Sequence, residues 1–266
     1  MLIDETLSPV LTEVRDGIAH VTLNRPGAAN ALSRELVGAL GQAFARLGGD
    51  EHEDVRAVIL TGAGGKAFCA GADLKERRAM TLDETRSFLK HLNAVVDAIA
   101  AFPQPVIAAL NGAAFGGGLE LALACDFRLA AANVELGLVE TRLGIIPGAG
   151  GTQRLARLAG VAVAKELILT GRRIVALRAL ELGLVSEVVA VEELLGAARR
   201  LAAELAGAGP LAVTQAKRAI DGGLDLPLPE ALAHERACYE IVLPSADRDE
   251  GLAAFAEKRP PRFTGK

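Results

Sequence analysis

A run of three glycines followed by a carboxylate is the feature of this sequence best suited to chemistry. Gly116, Gly117 and Gly118 precede Glu120, and good helix formers continue to residue 124. This is the composition of a loop that leads into a helix N-terminus, where unpaired N–H groups and a partial positive charge are presented. Because glycine lets a ligand approach the backbone closely, the expected guest is an anion or a developing oxyanion.

Glu120 lies three residues after Gly117, and positions i and i+3 of a helix share one face. A group held by the Gly117 N–H would therefore also be within reach of the Glu120 carboxylate. One segment could supply both an electrophilic donor and an acid or base. The alternative is that the glycines only permit close helix packing and that Glu120 caps the helix, and the glycine pattern alone does not decide between the two.

A second glycine-containing turn spans residues 66–75, where small residues at 69–72 expose the backbone. One N–H from this turn and one from Gly117 would form a two-donor oxyanion hole. Each such donor contributes about 2.7–4 kcal/mol of transition-state stabilisation. The alternative is a tight turn that binds no ligand.

A second carboxylate, Glu140, lies between apolar residues and a glycine turn. Burial among Leu138, Val139 and Leu143 would raise its pKa toward the range useful for proton transfer. Composition alone favours a surface position for this side chain instead.

The elements that must position these residues alternate between strand and helix through the first two thirds of the chain. Alternating or apolar runs predict strands at residues 18–23, 55–60, 105–110, 127–130 and 185–191, and helical patterns occupy residues 35–47, 81–102, 116–124 and 162–170. From about residue 192 the pattern is almost entirely helical. We expect an α/β core followed by a helical module, although periodicity does not distinguish a spiral of stacked units from a doubly wound sheet.

Composition narrows the function classes. The 266 residues are 51% hydrophobic but only 3% aromatic, and the net charge is −4, a poor balance for nucleic-acid binding. Three scattered cysteines predict no disulfide framework. The N-terminus lacks the features of a leader, and no apolar run reaches membrane-spanning length, so a soluble cytoplasmic protein is expected.

Several other enzyme classes are disfavoured by missing motifs. The segment GAGGKA at residues 62–67 lacks the spacing and the Ser/Thr of a P-loop, and no GxSxG nucleophile elbow occurs. The four histidines show no metal-ligand spacing, so no metal site is predicted.

Three long segments together resemble the enoyl-CoA hydratase/isomerase, or crotonase, superfamily. They are FCAGADLKE (68–76), AALNGAAFGGGLELALACD (108–126) and ETRLGIIPGAGGTQRLAR (140–157), and TLNRP (22–26) and EGLAAFAEKRP (250–260) also match. The resemblance implies a crotonase-like spiral of ββα units over residues 1–195 and a helical trimerisation region over residues 196–266. It also implies a homotrimer or a homohexamer, and no cofactor beyond the coenzyme A carried by the substrate.

The resemblance also assigns roles to individual positions. Ala72 and Gly117 match the two backbone donors to the thioester carbonyl, and Glu120 and Glu140 match the two carboxylates of the hydratases. The positions expected to contact coenzyme A or the substrate are Ala70, Ala72, Asp73, Leu74, Lys75, Gly117, Phe255 and Lys258. Of these, Phe255 and Lys258 would reach the ligand of a neighbouring subunit.

Retention of both carboxylates favours hydration of a trans-2-enoyl-CoA at its 2,3 double bond. A closer resemblance to the 3-methylglutaconyl-CoA hydratase branch makes that substrate the alternative. Animal members of that branch also bind RNA through a lysine-rich segment. Residues 48–54 here are acidic instead, which leaves an RNA-binding protein as a remote alternative and predicts no nucleic-acid partner.

Overall fold

The computed structural model describes residues 8–266 of the chain, apart from the side chain of Glu51. Residues 1–7 lie outside this range. They belong to the N-terminal segment for which the sequence predicted no leader. The strands are β1 (Val10–Arg15), β2 (Ile18–Leu23), β3 (Ala57–Gly62), β4 (Ala67–Cys69), β5 (Val106–Leu110), β6 (Ala113–Phe115), β7 (Phe127–Ala131), β8 (Glu135–Gly137), β9 (Ile174–Val175) and β10 (Glu187–Val189). The helices are α1 (Arg34–Leu47), α2 (Leu74–Ala79), α3 (Leu82–Ala100), α4 (Gly117–Leu123), α5 (Gly151–Ala159), α6 (Val161–Thr170), α7 (Ala176–Glu181), α8 (Leu194–Ala206), α9 (Pro210–Gly223), α10 (Leu228–Val242) and α11 (Ala246–Glu257).

The strands form two sheets. The larger has the order β1-β2-β3-β5-β7-β10, in which β1 and β2 are antiparallel and the remaining pairs are parallel. The smaller has the order β4-β6-β8-β9, and its first three strands are parallel. Each of β3, β5 and β7 is followed by a short strand of the smaller sheet and then by helix. This repeated strand-strand-helix unit confirms the predicted α/β class. It also shows that the core is built from stacked units of this kind rather than as a doubly wound sheet.

The two long early helices begin where the sequence signals their start. The Ser33 hydroxyl accepts a hydrogen bond from the Leu36 N–H at the beginning of α1. Thr81 and Glu84 form a reciprocal capping box at the beginning of α3. Helix α1 packs against β1 and β2 and also against α3. Phe44 of α1 meets Phe102, which follows α3, edge to face with ring centroids 5.2 Å apart.

The short strands of the smaller sheet were not predicted. Strands β4, β6 and β8 have three residues each, too few to show a period of two. The strand expected at residues 55–60 is instead β3, which begins two residues later. Its shift follows from Arg56, whose N–H donates to the Gly17 carbonyl in the preceding turn (2.7 Å), so the ladder with β2 starts at Ala57.

The first helix of the C-terminal helical region packs against the core. Helix α8, which contains the predicted boundary at residue 196, packs against the large sheet at β2, β3, β5 and β7. Helices α9 and α10 pack against each other. The division into residues 1–195 and 196–266 stays a prediction. Within residues 8–266, none of the helices has the length and apolar character needed to cross a lipid bilayer.

Helix α4 contacts the smaller sheet so closely that only a hydrogen atom fits at Gly118. A Cβ placed there would lie 2.0 Å from the Cys69 carbonyl oxygen. We expect Gly118→Ala to lower the free energy of unfolding by about 3 kcal/mol, because backbone would have to move against backbone. Gly38→Ala in α1 is the matched control, since a Cβ there meets no atom within 4 Å. The control should raise stability by up to about 1 kcal/mol. Urea unfolding curves measure both, and similar effects would contradict the packing argument.

Candidate active site

The three chemically interesting segments lie at one edge of the smaller sheet. Residues 70–73 follow β4, residues 116–117 follow β6 and residues 138–140 follow β8. Since β4, β6 and β8 are adjacent and parallel, their carboxyl ends lie side by side and the loops after them converge. Segments up to about 70 positions apart in sequence therefore form one site.

At this edge the backbone N–H groups of Ala72 and Gly117 have no hydrogen-bond partner within residues 8–266. A Cβ placed on Gly71 would lie 3.4 Å from the Gly117 nitrogen, and one placed on Gly117 would lie 3.9 Å from the Ala72 nitrogen. The two donors therefore belong to neighbouring turns that touch each other. Unpaired, adjacent N–H groups are the components of an oxyanion hole.

The turn that carries Ala72 is fixed by bonds to the chain before α1. Leu32 donates to the Gly71 carbonyl (2.8 Å), and Asp73 donates to the Leu32 carbonyl (3.1 Å). These two bonds flank Ala72 and leave its own N–H free. The Asp73 carboxylate caps α2 by accepting from the Lys75 and Glu76 N–H groups, and it also pairs with Arg25 at 3.1 Å. The Asp73 carboxylate is thus held by bonds within the protein, and its contact with a ligand stays a prediction.

Sequence reasoning missed two residues that support this turn. Arg25 donates to the Ala31 carbonyl (2.7 Å) as well as to Asp73. Asn30 is fully buried; its Oδ1 accepts from the Arg25 N–H, and its Nδ2 donates to the carbonyls of Ala63 and Ala67. Asn30 thereby links β4 to the loop that docks the Ala72 turn. The sequence signal that could have indicated them is that Arg25 lies within the TLNRP segment and that Asn30 follows shortly after it.

Glu120 is buried on α4, and its orientation is set by the loop that precedes α5. Its Oε1 accepts hydrogen bonds from the N–H groups of Ala149 (2.7 Å) and Gly151 (2.8 Å). Burial raises the pKa of Glu120, while these N–H groups and the Arg154 charge oppose the shift. The site thus contains a desolvated carboxylate whose charged form is directly hydrogen-bonded.

Glu140 begins a short 3₁₀ turn after β8 and is only 8% exposed. The surface position favoured by composition is therefore wrong: tertiary packing covers the side chain, although Leu143 itself is exposed. Its Oε2 is buried without a hydrogen-bond partner among residues 8–266. Burial and, to a smaller extent, the charge of Glu120 raise the pKa of Glu140 to about 7.

Gly116, at the start of the glycine run that leads to Glu120, lies in close contact with the Glu140 carboxylate. It adopts a φ of +51° at the start of α4, and a Cβ there would lie 3.0 Å from the Glu140 Oε1. Glu140 therefore lies against the residue that precedes the Gly117 donor. The structure brings Ala72, Gly117, Glu120 and Glu140 together, in an arrangement that can polarise a carbonyl and move protons beside it.

The expected coenzyme A positions have different surroundings. Ala70, Leu74 and Lys75 are exposed around the Ala72 turn. Phe255 in α11 is 87% exposed, and Lys258 is exposed at the C-terminal end of that helix. In the described part of the chain, Lys258 forms no ion pair with a site residue. The contacts of these residues with a ligand stay predictions.

The remaining reactive side chains take no evident part in the site. All three cysteines are buried and unpaired, and burial raises the pKa of the Cys69 thiol to about 12. Cys69 is therefore a poor nucleophile despite its place beside the Ala72 turn. Among the side chains that the structure describes, no three from His, Cys, Asp or Glu are grouped to hold a metal ion.

Comparison with known proteins shows the family. The family model described as enoyl-CoA hydratase/isomerase matches residues 13–266. A crystal structure of an enoyl-CoA hydratase from Bacillus anthracis superposes with a TM-score of 0.95 at 49% identity, covering 97% of this chain and 100% of that one. The chain therefore belongs to the enoyl-CoA hydratase/isomerase family, and the crotonase-like fold is confirmed.

Two curated relatives are similar over nearly the whole chain. The mouse enoyl-CoA hydratase domain-containing protein 2, mitochondrial, is 49% identical over 260 residues, covering 96% of this chain and 87% of the relative. The human methylglutaconyl-CoA hydratase, mitochondrial, is 46% identical over 267 residues, covering 99% and 78%. Both are named as mitochondrial proteins, so these comparisons do not support the predicted cytoplasmic location.

The raised pKa of Glu140 predicts a pH-dependent stability difference. A carboxyl group with a folded pKa near 7 binds a proton more tightly than in the unfolded chain, so its ionisation destabilises the fold as pH rises from about 4.5 through 7. We expect Glu140→Gln to be more stable than wild type by about 1–3 kcal/mol at pH 8. The difference should vanish near pH 4.5. Urea unfolding across this pH range measures it, and a constant difference would contradict the burial argument.

Proposed function

We propose that this protein is an enoyl-CoA hydratase, which adds water across the 2,3 double bond of a trans-2-enoyl-CoA. The observation that carries the proposal is the pair of buried, electrostatically coupled carboxylates, Glu120 and Glu140, beside the unpaired N–H groups of Ala72 and Gly117. Hydration requires a proton acceptor for water and a proton donor for carbon. A site with two differently held carboxylates can supply both.

The two backbone donors act on the thioester carbonyl. Hydrogen bonds from Ala72 and Gly117 to this oxygen withdraw electrons from the conjugated double bond and make C3 electrophilic. The same bonds stabilise the enolate that forms when water attacks C3. Because both N–H groups are already oriented and unpaired, little reorganisation is needed as the negative charge develops.

The two carboxylates divide the proton transfers. Glu120, whose charged form accepts two N–H bonds, orients a water molecule and removes its proton as oxygen bonds to C3. Glu140, with a pKa of about 7, is partly protonated at neutral pH and delivers its proton to C2. A proton then passes from Glu120 to Glu140 through water to restore the starting state. The two groups titrate as a coupled pair, so their roles are defined jointly.

A branched acidic substrate is the second candidate. The human methylglutaconyl-CoA hydratase is 46% identical to this chain, nearly as similar as the mouse hydratase-domain protein at 49%. Both candidates use the same thioester site and the same pair of carboxylates. The two candidate substrates differ only in the acyl group that would lie between the two carboxylates.

An oligomer would explain the exposed apolar side chains of the C-terminal helices. Ile220, Leu224, Leu228, Leu252 and Phe255 are each more than half exposed. We propose a homotrimer or homohexamer in which these surfaces are covered and Phe255 and Lys258 reach the coenzyme A of a neighbouring subunit. Independence from any cofactor, a cytoplasmic location and the absence of a nucleic-acid partner stay predictions.

Removal of either carboxylate tests the hydration mechanism. We expect Glu120→Gln and Glu140→Gln each to lower kcat for crotonyl-CoA by about 10²–10⁴-fold, because each variant lacks one proton transfer. The double variant should be little worse than the single ones, since the groups act as a unit. The assay follows the loss of the conjugated thioester absorbance. Glu135→Gln, an exposed carboxylate on β8, is the matched control and should be fully active. Near-normal turnover in either site variant would contradict the assignment.

A substrate comparison tests the acyl group. We expect kcat/KM for crotonyl-CoA to exceed that for 3-methylglutaconyl-CoA, with longer straight-chain enoyl-CoAs measured alongside. The physical reason is that the free carboxylate of 3-methylglutaconyl-CoA would enter a site that already holds two coupled acidic groups. A clear preference for the branched acidic substrate would instead establish the second candidate and leave the mechanism unchanged.

A further inference from the structure

Glu120 is held by a loop that is itself held by helix α3. Asn93, near the middle of α3, donates from its Nδ2 to the Gly148 carbonyl at 2.7 Å. The same nitrogen donates to the Leu89 carbonyl at 2.8 Å, one turn earlier in the helix. Both protons of the amide are therefore used. The opposite assignment of the amide would direct its oxygen at two carbonyls, so the side chain has one favourable orientation.

The peptide unit between Gly148 and Ala149 connects Asn93 to Glu120. Its carbonyl oxygen accepts from Asn93, and its N–H donates to the Glu120 Oε1, each at 2.7 Å. In a trans peptide these two groups point in opposite directions, so the unit lies between the amide and the carboxylate. A hydrogen bond on the carbonyl also polarises the peptide and strengthens its N–H as a donor.

The next peptide unit is anchored to the same helix by a second route. Arg154 donates to the Ala149 carbonyl at 3.0 Å and pairs with Asp97 of α3 at 2.7 Å. Two consecutive carbonyls of the loop are thus tied to α3. Gly148 also lies close to α3, since a Cβ placed on it would lie 3.2 Å from the Leu89 side chain.

We propose that Asn93 is a positioning residue for Glu120, acting through the 148–149 peptide to direct the Ala149 N–H at the carboxylate. This inference rests on the proposed function. It assigns a role in the hydration reaction to a side chain that does not touch the reacting atoms. It also makes the geometry of the water-activating carboxylate depend on the placement of α3, a helix that lies outside the three convergent loops.

Two substitutions at one position test the proposal. Asn93→Ala removes the donor but suits a helix interior, so the fold should be retained. We expect its kcat to fall about 10-fold with KM changed less than about twofold, since the lost bond acts on the catalytic base rather than on substrate binding. Asn93→Asp should lose more, because its carboxylate would face the carbonyls of Gly148 and Leu89. Lys90→Ala, an exposed change on the same helix, is the matched control and should match wild type.

The pH profile distinguishes positioning from simple packing. With a weaker N–H donor, the charged form of Glu120 is less stabilised, so the acid limb of the kcat/KM profile should move to higher pH in Asn93→Ala. A merely structural defect would lower activity or melting temperature without moving this limb. A wild-type profile in Asn93→Ala, or an unshifted limb at reduced activity, would overturn the proposal.

A measurement without turnover separates this inference from the proposed function. The Glu120 carboxyl can be followed by ¹³C NMR in wild type and Asn93→Ala, and its resonance is assigned by its loss in Glu120→Gln. A higher pKa in Asn93→Ala supports the positioning role even if wild type were to hydrate no enoyl-CoA, a result that would refute only the proposed function. Equal values in the two proteins would overturn the positioning role whatever the activity.

Discussion

The close contact between helix α4 and strand β4 is the constraint on which the site depends. Because Gly118 has no side chain, α4 lies directly against the Cys69 carbonyl. This contact places the Gly117 N–H beside the turn that carries Ala72. It also fixes the helix turn from which Glu120 projects. A larger residue at 118 would separate the two backbone donors and displace the carboxylate in the same movement.

The surrounding fold gives two identical functional groups different properties. Glu120 and Glu140 are both buried, and burial disfavours the charge of each. Two N–H bonds compensate Glu120, whereas the Oε2 of Glu140 has no partner among residues 8–266. The first group is therefore suited to accept a proton and the second to release one. Chemical asymmetry arises here from backbone placement rather than from residue type.

Long helices and strands with local sequence signals were predictable from the sequence. Very short strands, and contacts between residues far apart in the chain, were not. Strand β2 alternates cleanly, and α1 and α3 begin directly after Ser33 and Thr81, whose side chains cap them. The three-residue strands of the smaller sheet carry no such pattern, although their edge forms the site. The role of Asn30 could not be predicted for a related reason. Its partners, Ala63 and Ala67, are more than thirty residues away, and no local sequence pattern indicates such contacts.

The glycine run, the turn at residues 66–75 and both carboxylates were candidates from residue types, because backbone donors need small residues and proton transfer needs titratable ones. Ala72 itself, and the roles of the four residues, were predicted only by the resemblance to a family. The burial of Glu140 was not predicted, since composition favoured exposure and only the packing of distant segments excludes water. The bonds from Asn93 and Arg154 to the loop that holds Glu120 were equally invisible. Residue chemistry is local and can be read along the chain, whereas desolvation and orientation depend on neighbours that only folding brings together.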